Sequence, residues 1–248
     1  MIYRLFTSGA EPKVIIFTLL IYVFALTLSF SIHEFMHAFV ADWLGDSTPR
    51  NMGRLTLNPV AHMDITGTLL LLLAGFGWGK PVMYNPSNLH RFKSRRLMNI
   101  MVHLAGVTGN FILALITAII ATLIACFSGI GLYDLLNVSS GNAPIALVAL
   151  CLAFYYTSEF SLMLLAFNLL PIPPLDGFHV LQELLPYRVR RQEWYRKFEM
   201  FSPFAIWILF LLSYSGHLNI LETVIGWIQT PFALAINGIC YLISLPFA

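Results

Sequence analysis

Between Val14 and Val40 the chain runs for 27 residues with no acidic or basic side chain other than His33, Glu34 and His37. A helix of that length, rising about 1.5 Å per residue, exceeds the roughly 30 Å of a bilayer's hydrocarbon core. Comparable runs recur at about Leu97–Phe127, Pro144–Leu170 and Ile220–Leu245, with a shorter one at Phe201–Tyr214. A water-soluble fold has too little polar material to cover them: 58% of the chain is hydrophobic and only 10% charged, against roughly 25% charged in ordinary soluble domains. The expected fold class is an all-α polytopic membrane protein with about five to six transmembrane helices, the lipid bilayer being its first partner. A net charge of +2 gives no reason to expect nucleic acid. Cys126, Cys151 and Cys240 sit inside apolar stretches and read as small buried hydrophobes. The first run carries no small-residue cleavage site and is expected to stay in the mature protein.

The apolar stretch Thr66–Trp78 is too short to cross a membrane. It is flanked by Asn58-Pro59 and by Gly75, Gly77, Gly79, Pro81 and Pro86, which break helices. Irregular backbone at membrane depth needs protein or a water-filled cavity to satisfy its polar groups. Residues 50–90 are therefore expected to form a re-entrant, β-hairpin-like region beside a polar cavity. Arg91, Lys93, Arg95 and Arg96 precede the second run, and Arg188, Arg190, Arg191, Arg196 and Lys197 follow the third. The loop between those runs has neither Lys nor Arg. The positive-inside rule places the basic segments in the cytoplasm and the N-terminus outside. The aromatic and basic mixture from Pro186 to Met200 reads as an interfacial helix.

His33-Glu34-Phe35-Met36-His37 is an H-E-x-x-H motif. On a helix, residues i and i+4 share a face, so two imidazoles can reach one zinc ion and the glutamate a water bound to it. The motif alone is common by chance; its setting decides. Three ionisable groups in a lipid-facing span are costly without partners, and a shared metal supplies one. A catalytic zinc takes three protein ligands. Continuation as H-x-x-G-x-x-H fails, because Val40 and Trp43 occupy those positions. Asp176 is the favoured third ligand, with Asp64 as the alternative. Asp176 ends the run Asn168-Leu-Leu-Pro-Ile-Pro-Pro-Leu-Asp-Gly177, in which prolines stop the third span and are expected to fix an extended hook, with Gly177 allowing a tight turn. The deduced topology puts both motifs at the same depth on the same side.

The pair HEFMH (33–37) and NLLPIPPLDG (168–177) resembles the site-2 protease family of zinc intramembrane metalloproteases. GRLTLNPVAHMDITGT (53–68) and GWGKPVMYNP (77–86) are similar to its compact bacterial and archaeal branch, which lacks PDZ and CBS domains. The resemblance covers most of residues 31–180. It implies one Zn2+ held by His33, His37 and Asp176, Glu34 as general base, and cleavage of membrane-spanning protein segments in a prokaryotic cell membrane. Where the family often has Ala-Gly-Pro-x-x-Asn, this chain reads Ala105-Gly106-Val107-Thr108-Gly109-Asn110, which bears on local helix shape more than on chemistry. The chain then reads as one integral-membrane metalloprotease domain, 1–248, with a catalytic core at about 14–180 and C-terminal helices at about 200–248.

Asn110 and Asn168 are amides inside spans, suited either to helix–helix hydrogen bonds or to holding a substrate backbone or oxyanion. His62 and Asp64 suit either a structural loop role or orientation of the zinc histidines. Lys80-Pro81-Val82 could pair with an extended substrate strand. His90, His103, His179 and His217 are assigned no role. Two other classes fit the same residues: a metal transporter, which would scatter polar residues along several spans, and a non-catalytic binder of transmembrane segments, which would have no use for Glu34. The sequence sets no oligomeric state.

Overall fold

The computed structural model describes residues 11–67, 79–132, 144–214 and 220–247. Four of its helices are long and apolar enough to cross a membrane: α1 (Pro12–Trp43), α2 (Arg95–Ser128), α3 (Ile145–Asn168) and the C-terminal stretch Ile220–Phe247. Between the last two come the short α4 (Asp176–Leu184) and then α5 (Glu193–Tyr214), and α6 (Ile220–Ser244) forms the body of the C-terminal stretch. Each boundary has a local cause. Pro12 opens α1, where its missing N–H is not needed, and the Ser94 side chain caps α2 by accepting from Leu97 N–H. Gly129 ends α2 at φ 66°, a left-handed conformation that favours glycine.

Helices α1, α2 and α3 pack on one another, and α6 lies against α2 and α3. The interfaces are built from small residues: Ala25, Ala38, Ala41, Ala114 and Ala166 have no exposed surface. In lipid, where apolar burial supplies little drive, close backbone approach and interhelical hydrogen bonds hold helices together. Ser161 donates to Ser29 Oγ at 2.8 Å, joining α3 to α1, and Ser158 donates to the Ala114 carbonyl at 3.0 Å, joining α3 to α2. Large apolar side chains point outward instead, with Leu20, Phe24, Phe127 and Trp227 all more than half exposed. That is the pattern expected when the surrounding solvent is lipid.

The chain between α1 and α2 is tied to the bundle by one carboxylate. Asp46 is fully buried. Its Oδ1 accepts from Thr48 N–H (3.1 Å), Thr48 Oγ1 (2.6 Å) and Asn88 Nδ2 (2.8 Å), and its Oδ2 accepts from Asn85 N–H (2.6 Å). Burial pushes this carboxyl toward its neutral form, but the donors from Thr48, Asn88 and Asn85 outweigh that and hold it below the usual carboxylate range. The clamp fixes the course of residues 79–90 past the C-terminal half of α1.

The described residues contain no sheet. The hairpin-like expectation for residues 50–90 is represented by one antiparallel bridge, Met63 to Gly79, and by Lys80 N–H donating to His62 O at 2.8 Å. Most of the Thr66–Trp78 stretch lies outside the described residues, as does most of the loop after α2. The expected interfacial helix at Pro186–Met200 is instead a single turn, Tyr187–Arg190, followed by α5, which continues without a break to Tyr214. Tyr195 is buried against Phe178 of α4, so that ring packs on protein.

Candidate metal centre

The site lies where the C-terminal third of α1, the N-terminal third of α2 and the segment after α3 come together. One helical turn on α1 brings His33 beside His37, the rings meeting edge to face with centroids 4.7 Å apart. Their Nε2 atoms lie 3.1 Å apart, and Asp176 Oδ2 lies 3.2 Å from His33 Nε2 and 3.1 Å from His37 Nε2. These edges are close to the about 3.3 Å separating ligand atoms in tetrahedral coordination at about 2.0–2.1 Å. Asp176 Oδ2 is buried and accepts no hydrogen bond despite that proximity. Three acceptor-capable atoms thus point at one spot, a poor arrangement for hydrogen bonding and a good one for a cation. His37 Nδ1 donates to Val102 O at 2.7 Å, which leaves its Nε2 bare.

Asp176 is the first residue of α4, not the tip of an extended hook. Between α3 and α4 the chain folds through successive tight turns: Leu170 N–H to Phe167 O, Ile172 N–H to Leu170 O and Leu175 N–H to Ile172 O. Gly177 has no unusual φ. A Cβ there would meet Leu169 O at 2.3 Å and Leu170 O at 2.7 Å. The glycine therefore permits close backbone approach, and its turn-forming freedom is not used.

Glu34 is buried, and its Oε2 accepts from the backbone N–H of Val82 at 2.9 Å. The irregular segment thus reaches the glutamate through its backbone. Lys80 is exposed, and its N–H is spent on His62 O. His62 is fully buried, with Nε2 2.9 Å from Thr56 O and Nδ1 unpartnered. Asp64 accepts from Gly67 N–H at 2.9 Å, closing a turn; it is not in the group that converges with the two histidines. Asn168, the last residue of α3, donates to Leu164 O at 2.9 Å. Asn110 is fully buried, with its amide nitrogen 3.2 Å from His33 Nδ1.

Two groups beside the site carry no role in the sequence reading. His103 Nδ1 lies 3.7 Å from Asp176 Oδ1, and Tyr84 Oη lies 3.0 Å from His103 Nε2. Burial, with the charges of Glu183, Asp176 and Asp46, pushes the Tyr84 phenol up to about 12, so it stays protonated. Gly106 of α2 faces both zinc-motif histidines: a Cβ there would fall 2.4 Å from His37 Nε2 and 2.5 Å from His33 Cε1. Gly109 stands equally close to Met36. The signal lies in α2 itself, where Asn99, His103, Gly106 and Asn110 recur at helical spacing along one stripe. Asn99 extends it by donating to Glu183 of α4 at 2.8 Å.

The model of peptidase family M50 matches residues 21–212. A Bacillus subtilis protein named as a candidate zinc metalloprotease, YwhC, is 41% identical over 168 residues, covering 68% of this chain and 70% of that protein. A Mycobacterium tuberculosis protein named in the same way, Rip2, is 31% identical over 205 residues, 81% of this chain and 66% of its own length. The Mycolicibacterium smegmatis Rip2 is 27% identical over 169 residues. No solved structure matches the chain. The matched stretch is well over half of the sequence and includes His33, Glu34, His37 and Asp176, and so the chain belongs to peptidase family M50.

Proposed function

We propose that the chain is an intramembrane zinc endopeptidase that cuts peptide bonds in or near the membrane-spanning segments of other proteins. One observation carries the reading: His33 Nε2, His37 Nε2 and Asp176 Oδ2 converge at 3.1–3.2 Å inside a bundle of spanning helices. Those three side chains would hold the metal. Zinc bound by them would lower the pKa of a coordinated water toward about 7 and polarise a carbonyl. Glu34, next to His33 on the same helical turn, would hold the proton that such a water gives up and return it to the departing amine. The Val82 N–H on Oε2 fixes the glutamate and leaves Oε1 for the water. Catalytic core and C-terminal helices form one domain, with the site toward the cytoplasmic side.

The test is a cleavage assay on a model transmembrane substrate, paired with zinc analysis. Glu34→Gln should retain zinc and lose at least about 100-fold in rate. Asp176→Ala should lose both zinc and activity. Wild-type turnover by Glu34→Gln would discard the base assignment.

A further inference from the structure

The two histidines differ in what occupies their second ring nitrogen. His37 Nδ1 faces a carbonyl, Val102 O, at 2.7 Å, and a carbonyl can only accept. His33 Nδ1 faces an amide, Asn110, at 3.2 Å, and an amide can do either. Asn110 is fully buried, and its Oδ1 has no hydrogen-bond partner.

His33 Nε2 points toward His37 Nε2 and Asp176 Oδ2. A nitrogen that offers its lone pair to a cation carries no proton, so in the neutral ring the proton resides on Nδ1. That N–H must donate, and Asn110 is the neighbour that can receive it. The oxygen and nitrogen of an amide exchange by rotation about one bond, with almost no change in shape. We propose that Asn110 is a positioning residue for His33: its Oδ1 accepts from His33 Nδ1–H and fixes the tautomer and plane of the ring, as Val102 O does for His37. The inference rests on the zinc reading above and deepens it.

This differs from a role in holding substrate. The amide meets the ring edge turned away from the converging donor atoms, and none of its surface is exposed. Position on the helix explains how it gets there. Gly106 and Asn110 lie one turn apart on α2, so the missing Cβ at 106 brings α2 close enough to α1 for the amide to span the gap.

The test uses the purified full chain in detergent, with Asn110→Leu, Asn110→Ala and Asn110→Asp. Asp keeps an acceptor oxygen; Leu keeps volume without one; Ala removes the group without adding bulk. Zinc affinity is read by competition with a chromophoric chelator, and the visible bands of the cobalt-substituted protein report ligand geometry. Leu and Ala should bind zinc about 10–100-fold more weakly than the wild type and shift the cobalt bands. Asp should stay within a few-fold of the wild type, with unshifted bands. Wild-type affinity and bands in the Ala variant would overturn the proposal, as would an Asp variant as weak as Ala. Absence of zinc binding in the wild type would sink the metal reading and this inference with it, whereas weakened Ala and Leu with inactive wild type would leave the inference standing and remove the peptidase.

Discussion

At the scale of single residues, space matters as much as donor chemistry. His33 and His37 can point their Nε2 atoms at one spot because position 106 has no side chain. Gly106→Ala would drive a methyl group to within 2.4 Å of His37 Nε2, so one of the two must move. Crowding of this kind costs about 1–3 kcal/mol, and α2 can relax by tilting. We therefore expect Gly106→Ala to fold and reach the membrane, with a large loss of zinc affinity measured by chelator competition; wild-type affinity would show that the glycine is not the cradle. The metal motif was legible in the sequence because it is written in residues with distinctive chemistry. Gly106 was not, because a glycine in an apolar helix announces small size without saying what comes close. His103 and Asn110 were visible as polar residues, but only the path of α2 past α1 shows which atoms they meet.

At the scale of elements, two connections deliver their residues by backbone packing. The turns between α3 and α4 set Asp176 under the histidines, and Gly177 lets the first turn of α4 press on Leu169 and Leu170 carbonyls. Gly177→Ala would place a Cβ 2.3 Å from Leu169 O, and backbone yields less than a flexible side chain. The expected result is loss of bound zinc by metal analysis with the helical circular dichroism signal retained. The prolines mark this segment as a stop in the sequence, but they point to an extended hook where the chain turns tightly. Proline fixes its own φ and says little about the ψ angles that decide whether the chain runs on or folds back. Asp46 performs the second connection. Its lowered pKa means that its stabilising contribution is fully present above the unfolded-state value of about 4 and is lost as pH falls through the lower folded-state value. Asp46→Asn should lower the thermal unfolding temperature at neutral pH, and the deficit should shrink below about pH 4; a deficit independent of pH would show that the charge is irrelevant to the clamp.

At the scale of the whole molecule, the bilayer dictates the plan. Apolar runs in the sequence and helices in the structure agree closely at Pro12–Trp43, Arg95–Ser128, Ile145–Asn168 and Ile220–Ser244, since lipid leaves few alternatives to a continuous helix. Charge clusters Arg91, Lys93, Arg95 and Arg96 at the end of the bundle that carries the metal centre. Lys93→Cys, introduced into a cysteine-free background, should react in intact cells only with a membrane-permeant thiol reagent; reaction with an impermeant one would reverse the proposed orientation.

The most direct test of the central claim is zinc K-edge absorption spectroscopy on the purified protein, comparing the wild type with Asp176→Ala. The account predicts one zinc per chain, with two imidazoles and oxygen at about 2.0–2.1 Å in the wild type, and loss of that shell in the variant. A zinc without imidazole neighbours, or an identical shell in both proteins, would contradict it.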